Sequence, residues 1–450
     1  MKVTIVGAGY VGLVSAVCLA AKGHDVTCVD LSFGLVEQLN KGKPHIYEPG
    51  LEELLGSVLK SGRLRASTNL ETTLDQSDLV FIAVGTPSDN GIIDLRFVSE
   101  VSRCIGLYLS HHDRYLSVVL KSTVIPGTTD TVVRSQIAQI AGRDIPSFGL
   151  GMNPEFLREG DAIADFMEPD RIVLGYEDDR TLQLLEELYA PWNVDKIRVN
   201  TRSAEFIKYA NNVLLATQIS TMNELANLAT VLGGIDVMDV VEGIQTDKRW
   251  NPIIENRRVS PPILSYLVPG CGFGGSCFPK DLKALRSQGM QNGLPMHMVN
   301  AVLSVNDLQP FQVVNLIETD VTTLADKTVL LLGLAFKPGT DDVRESASLK
   351  IARCLVEKNA RVFAHDPVAA DNFRLALGAT AKSITFVTQW TDYVGSANVV
   401  IVATSWSEYG RLTQLNLTGK VLFDARHMFQ PSTFSTGKYL SIGRRLGVTK

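Results

Sequence analysis

Val3-Thr4-Ile5-Val6-Gly7-Ala8-Gly9-Tyr10-Val11-Gly12, with the apolar run that follows it to Ala21, decides the fold. Val3 to Val6 reads as a buried strand, because β-branched residues suit a parallel sheet covered on both faces. Gly7, Gly9 and Gly12 follow at G-x-G-x-x-G spacing, and a helix through Ala21 completes the strand, loop, helix order of dinucleotide binding. Gly7 permits the tight turn, Gly9 lets backbone approach a pyrophosphate, and Gly12 allows close helix packing. Tyr10 and Val11 lie between them, where the helix start offers N–H groups and a positive dipole end to phosphates. Asp25 to Val29 reads as the second strand, and Asp30 stands at its end. A carboxylate there accepts from adenosine ribose hydroxyls and repels a 2′-phosphate, so NAD is expected over NADP. No charge falls between Val3 and Ala21, a pattern that signal peptides and membrane spans share. Glycines at dinucleotide spacing favour the cofactor reading and a cytoplasmic protein without a membrane partner.

Outward from this stretch, short apolar runs alternate with helical ones: Leu79 to Val84, Leu116 to Lys121, Phe148 to Met152 and Arg171 to Gly175 read as further strands. Such alternation predicts a doubly wound parallel sheet. From Ala204 to Leu232 apolar residues recur at helical spacing without proline, which predicts a long helix and a possible dimer surface. A second α/β pattern starts at Lys327, with strands at Thr328 to Leu332, Arg361 to Ala364, Asn398 to Ala403 and Val421 to Asp424. The expected architecture is α/β: two Rossmann-like doubly wound parallel-sheet domains joined by a helical domain with a long central helix. Residues 1–200 would be the first sheet domain, 201–300 the helical part and 301–450 the second. Gly333-Leu334-Ala335-Phe336-Lys337 follows the first strand of the second pattern, like the glycine loop, but lacks the triplet.

With 450 residues, room exists for two or three domains. The 43 Lys and Arg against 48 Asp and Glu give a net charge of -5, and no basic run provides a footprint for nucleic acid. Six cysteines lie scattered without CxxC or Cys/His metal spacing, which suits reduced thiols and predicts neither disulfide nor metal site.

Gly270-Cys271-Gly272-Phe273-Gly274-Gly275-Ser276-Cys277-Phe278-Pro279-Lys280-Asp281 is the richest segment. A glycine loop delivers Cys277 just before Pro279, which fits the first turn of a helix to Ser287. A thiol at a helix N-terminus and near Lys280 is expected to be acidified, with Asp281 opposing, which makes Cys277 a candidate nucleophile. Cys18, Cys28 and Cys354 read better as small buried apolar residues. Lys208 and Asn212, four apart on the long helix, share a face. Lys208 taken alone reads as a solvated surface residue, so its spacing by itself does not select it for a site.

Together with Ile46 to Leu51, Val84 to Pro87, Lys121 to Val124, Asn153 to Gly160 and Gly333 to Arg344, these motifs make the chain resemble the UDP-glucose/GDP-mannose dehydrogenase family over essentially its whole length. The resemblance implies NAD-dependent oxidation of the C6 hydroxyl of a nucleotide sugar to a carboxylate through a cysteine thiohemiacetal and thioester. UDP-glucose, giving UDP-glucuronate, is the leading donor, with dTDP-glucose, GDP-mannose or a UDP-N-acetylhexosamine as alternatives. It makes Cys277 the nucleophile, assigns Lys208 and Asn212 to the oxyanion, Asp281 and Thr123 to a water that transfers protons, and Glu155 to thioester hydrolysis. Thr86, Thr123, Glu155, Lys280 and Arg344 would surround NAD. Glu155, Phe156, Leu157, Lys208, Asn212, Tyr266 to Gly270, Gly274 and Lys337 would surround the nucleotide sugar, and Arg258 or Arg257 would reach a neighbouring subunit's substrate in a homodimer or higher oligomer.

Two departures stand out. The family pattern has lysine where this chain has Leu35, and the path from Arg258 to Cys277, through Val259-Ser260-Pro261-Pro262, is longer than usual. A two-electron hydroxyacid dehydrogenase shares the Rossmann and helical parts but needs neither Cys277 nor a second α/β domain. An NAD-sensing regulatory protein would tolerate loss of Cys277, Lys208 or Asp281.

Overall fold

A computed structural model describes residues 1–89 and 91–444. The chain forms two compact units, Met1–Asn211 and another from Asn212 onward.

In the first unit the strands are β1 (Lys2–Val6), β2 (Asp25–Val29), β3 (Leu64–Ser67), β4 (Leu79–Ile82), a small hairpin β5 (Ser88–Asp89) and β6 (Ile92–Ile93), β7 (Ser117–Leu120), β8 (Gly149–Met152), β9 (Arg171–Tyr176) and β10 (Asp195–Val199). Eight of them make one sheet in the order β10-β9-β8-β7-β4-β1-β2-β3. The pairs from β3 through β8 are parallel, but β9 runs antiparallel to β8, and β10 follows β9. Two strands of opposite direction thus extend a Rossmann sheet whose centre matches the sequence-based expectation. Strands β4 and β7 are buried along their whole length, because helices cover both faces.

The second unit holds a short hairpin, β11 (Ile253–Ile254) with β12 (Arg257–Arg258), and a sheet of β13 (Thr328–Leu332), β14 (Arg361–His365), β15 (Ile384–Phe386), β16 (Val399–Val402), β17 (Val421–Asp424) and β18 (Lys438–Leu440). Its order β15-β14-β13-β16-β17-β18 puts β13 where β1 stands in the first sheet, and every pair is parallel. This is the strand order of dinucleotide folds.

The long helix spans Thr201–Leu232, and the division between the units falls within it. Among the described residues no helix is long and apolar enough to cross a membrane. The apolar run after Gly9 is the helix Tyr10–Ala21, buried from Gly12 to Ala20 in the first core.

The resemblance between the sheets extends to atoms. Gly7 has φ +103, and a Cβ there would lie 2.6 Å from the Ala83 carbonyl; Gly333 has φ +88, with Thr404 2.4 Å away. Asp30 follows β2 and accepts from Ala8 N–H at 3.0 Å. Asp366 follows β14 and accepts from the N–H groups of Leu334 and Ala335 at 2.7 and 3.0 Å. Val368, Ala369 and the Trp406 indole also donate to Asp366, so that carboxylate is committed to the fold.

Candidate functional site

The glycine loop of the first unit has the shape a dinucleotide needs. A Cβ on Gly12 would stand 1.9 Å from the Gly7 carbonyl, so only glycine lets the helix approach the turn, whereas nothing lies within 4 Å of the same position on Gly9. That opening is where pyrophosphate approaches backbone. Half-buried Asp30 is pre-set by Ala8 N–H and Ser32 N–H, each at 3.0 Å. Leu35, which stands where the family pattern has lysine, donates its N–H to the Ser32 side chain and packs against the core. Thr86 donates its hydroxyl to the Thr123 carbonyl at 2.8 Å, tying together the loops after β4 and β7.

Beside this lies a buried charged cluster. The Lys208 ammonium sits 2.9 Å from Glu155, both side chains only 5% exposed. Burial alone would raise the Glu155 carboxyl; the Lys208 charge and hydrogen bond, the Leu157 N–H and Lys121 bring it below the usual range. The Leu157 N–H bond, 2.7 Å, folds the segment back on its own carboxylate. The Phe156 ring carries the Arg171 guanidinium at 3.8 Å and faces the Lys208 ammonium at 5.5 Å. Lys208 is therefore a buried ion-pair partner, which corrects its reading, taken alone, as a solvated surface residue.

Glu48, buried in the Ile46 to Leu51 motif, accepts from the Tyr10 hydroxyl and from the N–H groups of Gly160 and Ala162 at 2.7 and 2.8 Å. One carboxylate thereby joins the glycine loop to the segment that bears Glu155, Phe156 and Leu157.

In the second unit Cys277 is the N-cap of the helix Phe278–Gln291, with Pro279 in its first turn. Its side chain is half-buried, with the Ser276 hydroxyl 3.6 Å from the sulfur. Asp281, 1% exposed, takes the Lys280 ammonium on one oxygen and the Asn212 amide on the other, each at 2.7 Å. A thiol, a fixed carboxylate, an ammonium and an amide thus meet around one helix start. Cys18, Cys28 and Cys271 are buried free thiols, and burial raises all three, Cys18 and Cys28 to about 12.

Buried amides hold the loop that delivers Cys277. Asn306 forms a two-bond pair with the Phe273 peptide, at 2.7 and 3.0 Å. Gln309 donates to the Gly270 carbonyl at 2.9 Å, and Asn223 accepts from the Gly270 N–H at 2.8 Å. Gly272 has φ +94 and would place a Cβ 2.7 Å from the Asn306 oxygen, so glycine is required. A Cβ on Gly274 would lie 2.4 Å from the Glu345 carbonyl, and the Gly275 N–H donates to the Arg344 carbonyl at 2.8 Å. Arg344 itself chelates Asp342 at 2.8 to 3.0 Å. Half-buried Tyr266 lies in the 3₁₀ turn Pro262–Leu267, and half-buried Lys337 follows β13. Arg258, on the exposed hairpin, donates to the carbonyls of Thr246 and Asn251 at 2.7 and 3.3 Å.

Residues 1–193 match the NAD-binding domain of the UDP-glucose/GDP-mannose dehydrogenase family, residues 202–308 its central domain and residues 330–431 its UDP-binding domain. The chain belongs to the UDP-glucose/GDP-mannose dehydrogenase family. Membership fixes NAD as the cofactor, in agreement with the glycine loop and Asp30. Among its relatives, the UDP-glucose 6-dehydrogenase AglM of Haloferax volcanii is 39% identical over 419 residues, 92% of this chain and 93% of that one. UDP-glucose 6-dehydrogenase YwqF of Bacillus subtilis is 36% identical over 452 residues, covering 99% of this chain and 98% of that one. A solved UDP-glucose dehydrogenase from Pyrobaculum islandicum superposes with a TM-score of 0.87 at 41% identity, over 97% of this chain and 96% of that one.

Sequence reading missed Lys121, Glu48, Asn223, Asn306 and Gln309. Lys121 and Glu48 lie within family motifs, but nothing in their spacing marks a buried partner. The amides carry no sequence signal, because a buried polar residue on a helix has the spacing of a surface one until its partner is known.

Proposed function

We propose that the chain oxidises the C6 hydroxyl of UDP-glucose to the carboxylate of UDP-glucuronate in two NAD-dependent steps. The observation that carries the reading is Cys277 at a helix N-cap, one turn from an Asp281 already engaged by Lys280 and Asn212. Full-length similarity to enzymes named UDP-glucose 6-dehydrogenase supports the donor. NAD, when bound, supplies the hydride acceptor.

The chain's own residues supply the remainder. Cys277 adds to the C6 aldehyde as thiolate, giving a thiohemiacetal, and holds the acyl group as a thioester after the second oxidation. Lys208 and Asn212 donate to the oxyanion, for which a cation and an amide are the fitting partners. Asp281 and Thr123 hold the water that moves the substrate proton, and Glu155 assists the hydrolysis that releases the acid. Thr86, Lys280 and Arg344 attend NAD, while Phe156, Leu157, Tyr266, Gly270, Gly274 and Lys337 bind the nucleotide sugar.

On the same reading residues 1–200 bind NAD, 201–300 form the central helical part and 301–450 hold the nucleotide. Leu214, Leu228 and Val231 of the long helix are 65%, 53% and 80% exposed, which supports a homodimer through that helix. Arg258 would then serve the partner's substrate. The enzyme works in the cytoplasm, where its thiols stay reduced.

NADH production across UDP-glucose, dTDP-glucose, GDP-mannose and UDP-N-acetylhexosamines tests the donor. Highest kcat/KM with UDP-glucose is expected, and preference for another donor would move the assignment to the long segment before Cys277.

A further inference from the structure

Lys121 follows β7 in the Lys121-Ser122-Thr123 motif and is 3% exposed, yet the mechanism above gives it no task. Its ammonium donates to the Asn153 side-chain oxygen at 2.8 Å and approaches the Asn153 carbonyl at 3.5 Å. The rings of Phe81 and Phe166 lie on it, each 5.6 Å from the nitrogen. Asn153 is fixed in turn: its amide donates to the Val173 carbonyl at 2.9 Å, and its oxygen also accepts from the Tyr189 hydroxyl at 2.6 Å. Glu155 is two residues along the same turn, and Lys208 pairs with it.

A lysine surrounded by apolar rings is costly unless its charge is used, since a methionine of similar volume would fill the space without desolvation. The amide and the two ring faces stabilise the charged form. We propose that Lys121 is a positioning residue for Glu155: its ammonium holds the Asn153-Pro154-Glu155 turn and supplies a second positive charge, behind Lys208, to the carboxylate that assists thioester hydrolysis. The proposal rests on the role given to Glu155 under the functional reading.

The charged groups facing Lys121 are Glu155 on the turn after β8 and Lys208 on the long helix. Phe81 of β4 and Phe166 of the helix Ala162–Met167 are apolar, and burial keeps the Tyr189 hydroxyl neutral by raising it. Burial lowers the Lys121 ammonium to about 8, Glu155 opposing and Lys208 adding to the effect. The cluster therefore loses a positive charge just above neutrality, which predicts a falling limb of kcat near pH 8 in addition to an acidic limb from Glu155.

The test is the pH profile of kcat for NADH release at saturating UDP-glucose and NAD, in the wild type and in Lys121→Met. The variant is expected to lose the limb near pH 8 and to shift the acidic limb up by about one unit, tenfold in proton concentration, because Glu155 keeps a single cation. KM for NAD should change little. Both limbs at their wild-type positions, in a variant that melts like the wild type, would overturn the proposal. Asn153→Asp is the second variant and decides the matter if Lys121→Met does not fold. A carboxylate against Lys121 should move the alkaline limb upward by at least one unit, and an unmoved limb refutes the role. No wild-type turnover with any nucleotide sugar would defeat the functional reading itself, and this inference with it.

Discussion

Replacing Lys208 with methionine removes the cation from a pair whose side chains are each 5% exposed and 2.9 Å apart. Glu155 then keeps the Leu157 N–H at 2.7 Å and the more distant charge of Lys121. Breaking a buried pair costs about 3 to 5 kcal/mol, and the two remaining partners place Lys208→Met near the lower end, about 3 kcal/mol at pH 7. The deficit depends on pH. In the wild type the Glu155 carboxyl is held below its usual value, so the pair stabilises the fold above the unfolded carboxyl pKa of about 4.3. In the variant burial raises the same carboxyl, so ionisation favours the unfolded chain as pH rises past that value. The gap between the two proteins is therefore small near pH 4 and opens toward pH 7. Glu155→Gln added to Lys208→Met removes the buried charge and should recover more than half of the loss. Urea unfolding followed by circular dichroism, for the wild type, both single variants and the double variant at pH 4.5 and 7, measures this. Additive losses in the double variant, or a pH-independent deficit for Lys208→Met, would refute the electrostatic account of the cluster.

Asp30→Ala removes the acceptor that Ala8 and Ser32 hold in place, and should raise KM for NAD about tenfold or more with little change in kcat, while weakening discrimination against NADP; steady-state titration with both cofactors checks it. Gly272→Ala forces a side chain into φ +94 and against Asn306, which should cost about 1 to 3 kcal/mol and raise KM for UDP-glucose more than KM for NAD, read from melting and kinetics together. Glu205 accepts from Thr129 and Gly127, and burial raises its carboxyl to about 7. Relative to Glu205→Gln, wild-type stability should fall as pH rises from about 4.3 to 7 and stay level above that, a trend that unfolding midpoints across pH would reveal.

Much of this architecture is legible in the chain because parallel strands buried on both faces are written as uninterrupted apolar runs, as in Leu79 to Ile82 and Val329 to Leu332. The strands that escape reading are those without that burial. Leu64–Ser67 buries only Leu64, Asp195–Val199 buries none of its residues fully, and Lys438–Leu440 is short and partly exposed at an edge. The reversal of β9 against β8 leaves no mark either, since strand direction depends on the connection. The site divides in the same way. Glycines reveal themselves because a positive φ, as at Gly7 and Gly272, or a close backbone approach, as at Gly12, excludes other residues. Cys277 and Asp281 stand out by type and spacing. The supports do not: Lys121, Glu48 and Asn306 are polar residues whose value comes from partners 32, 112 and 33 positions away.

Four-electron oxidation through a Cys277 thioester is decided by the NADH formed per UDP-glucose consumed, measured beside Cys277→Ala. A ratio of about two in the wild type, with no sugar acid from the variant, is the result expected of covalent capture of the aldehyde. A ratio of about one with free aldehyde accumulating, or full oxidation by Cys277→Ala, would contradict it.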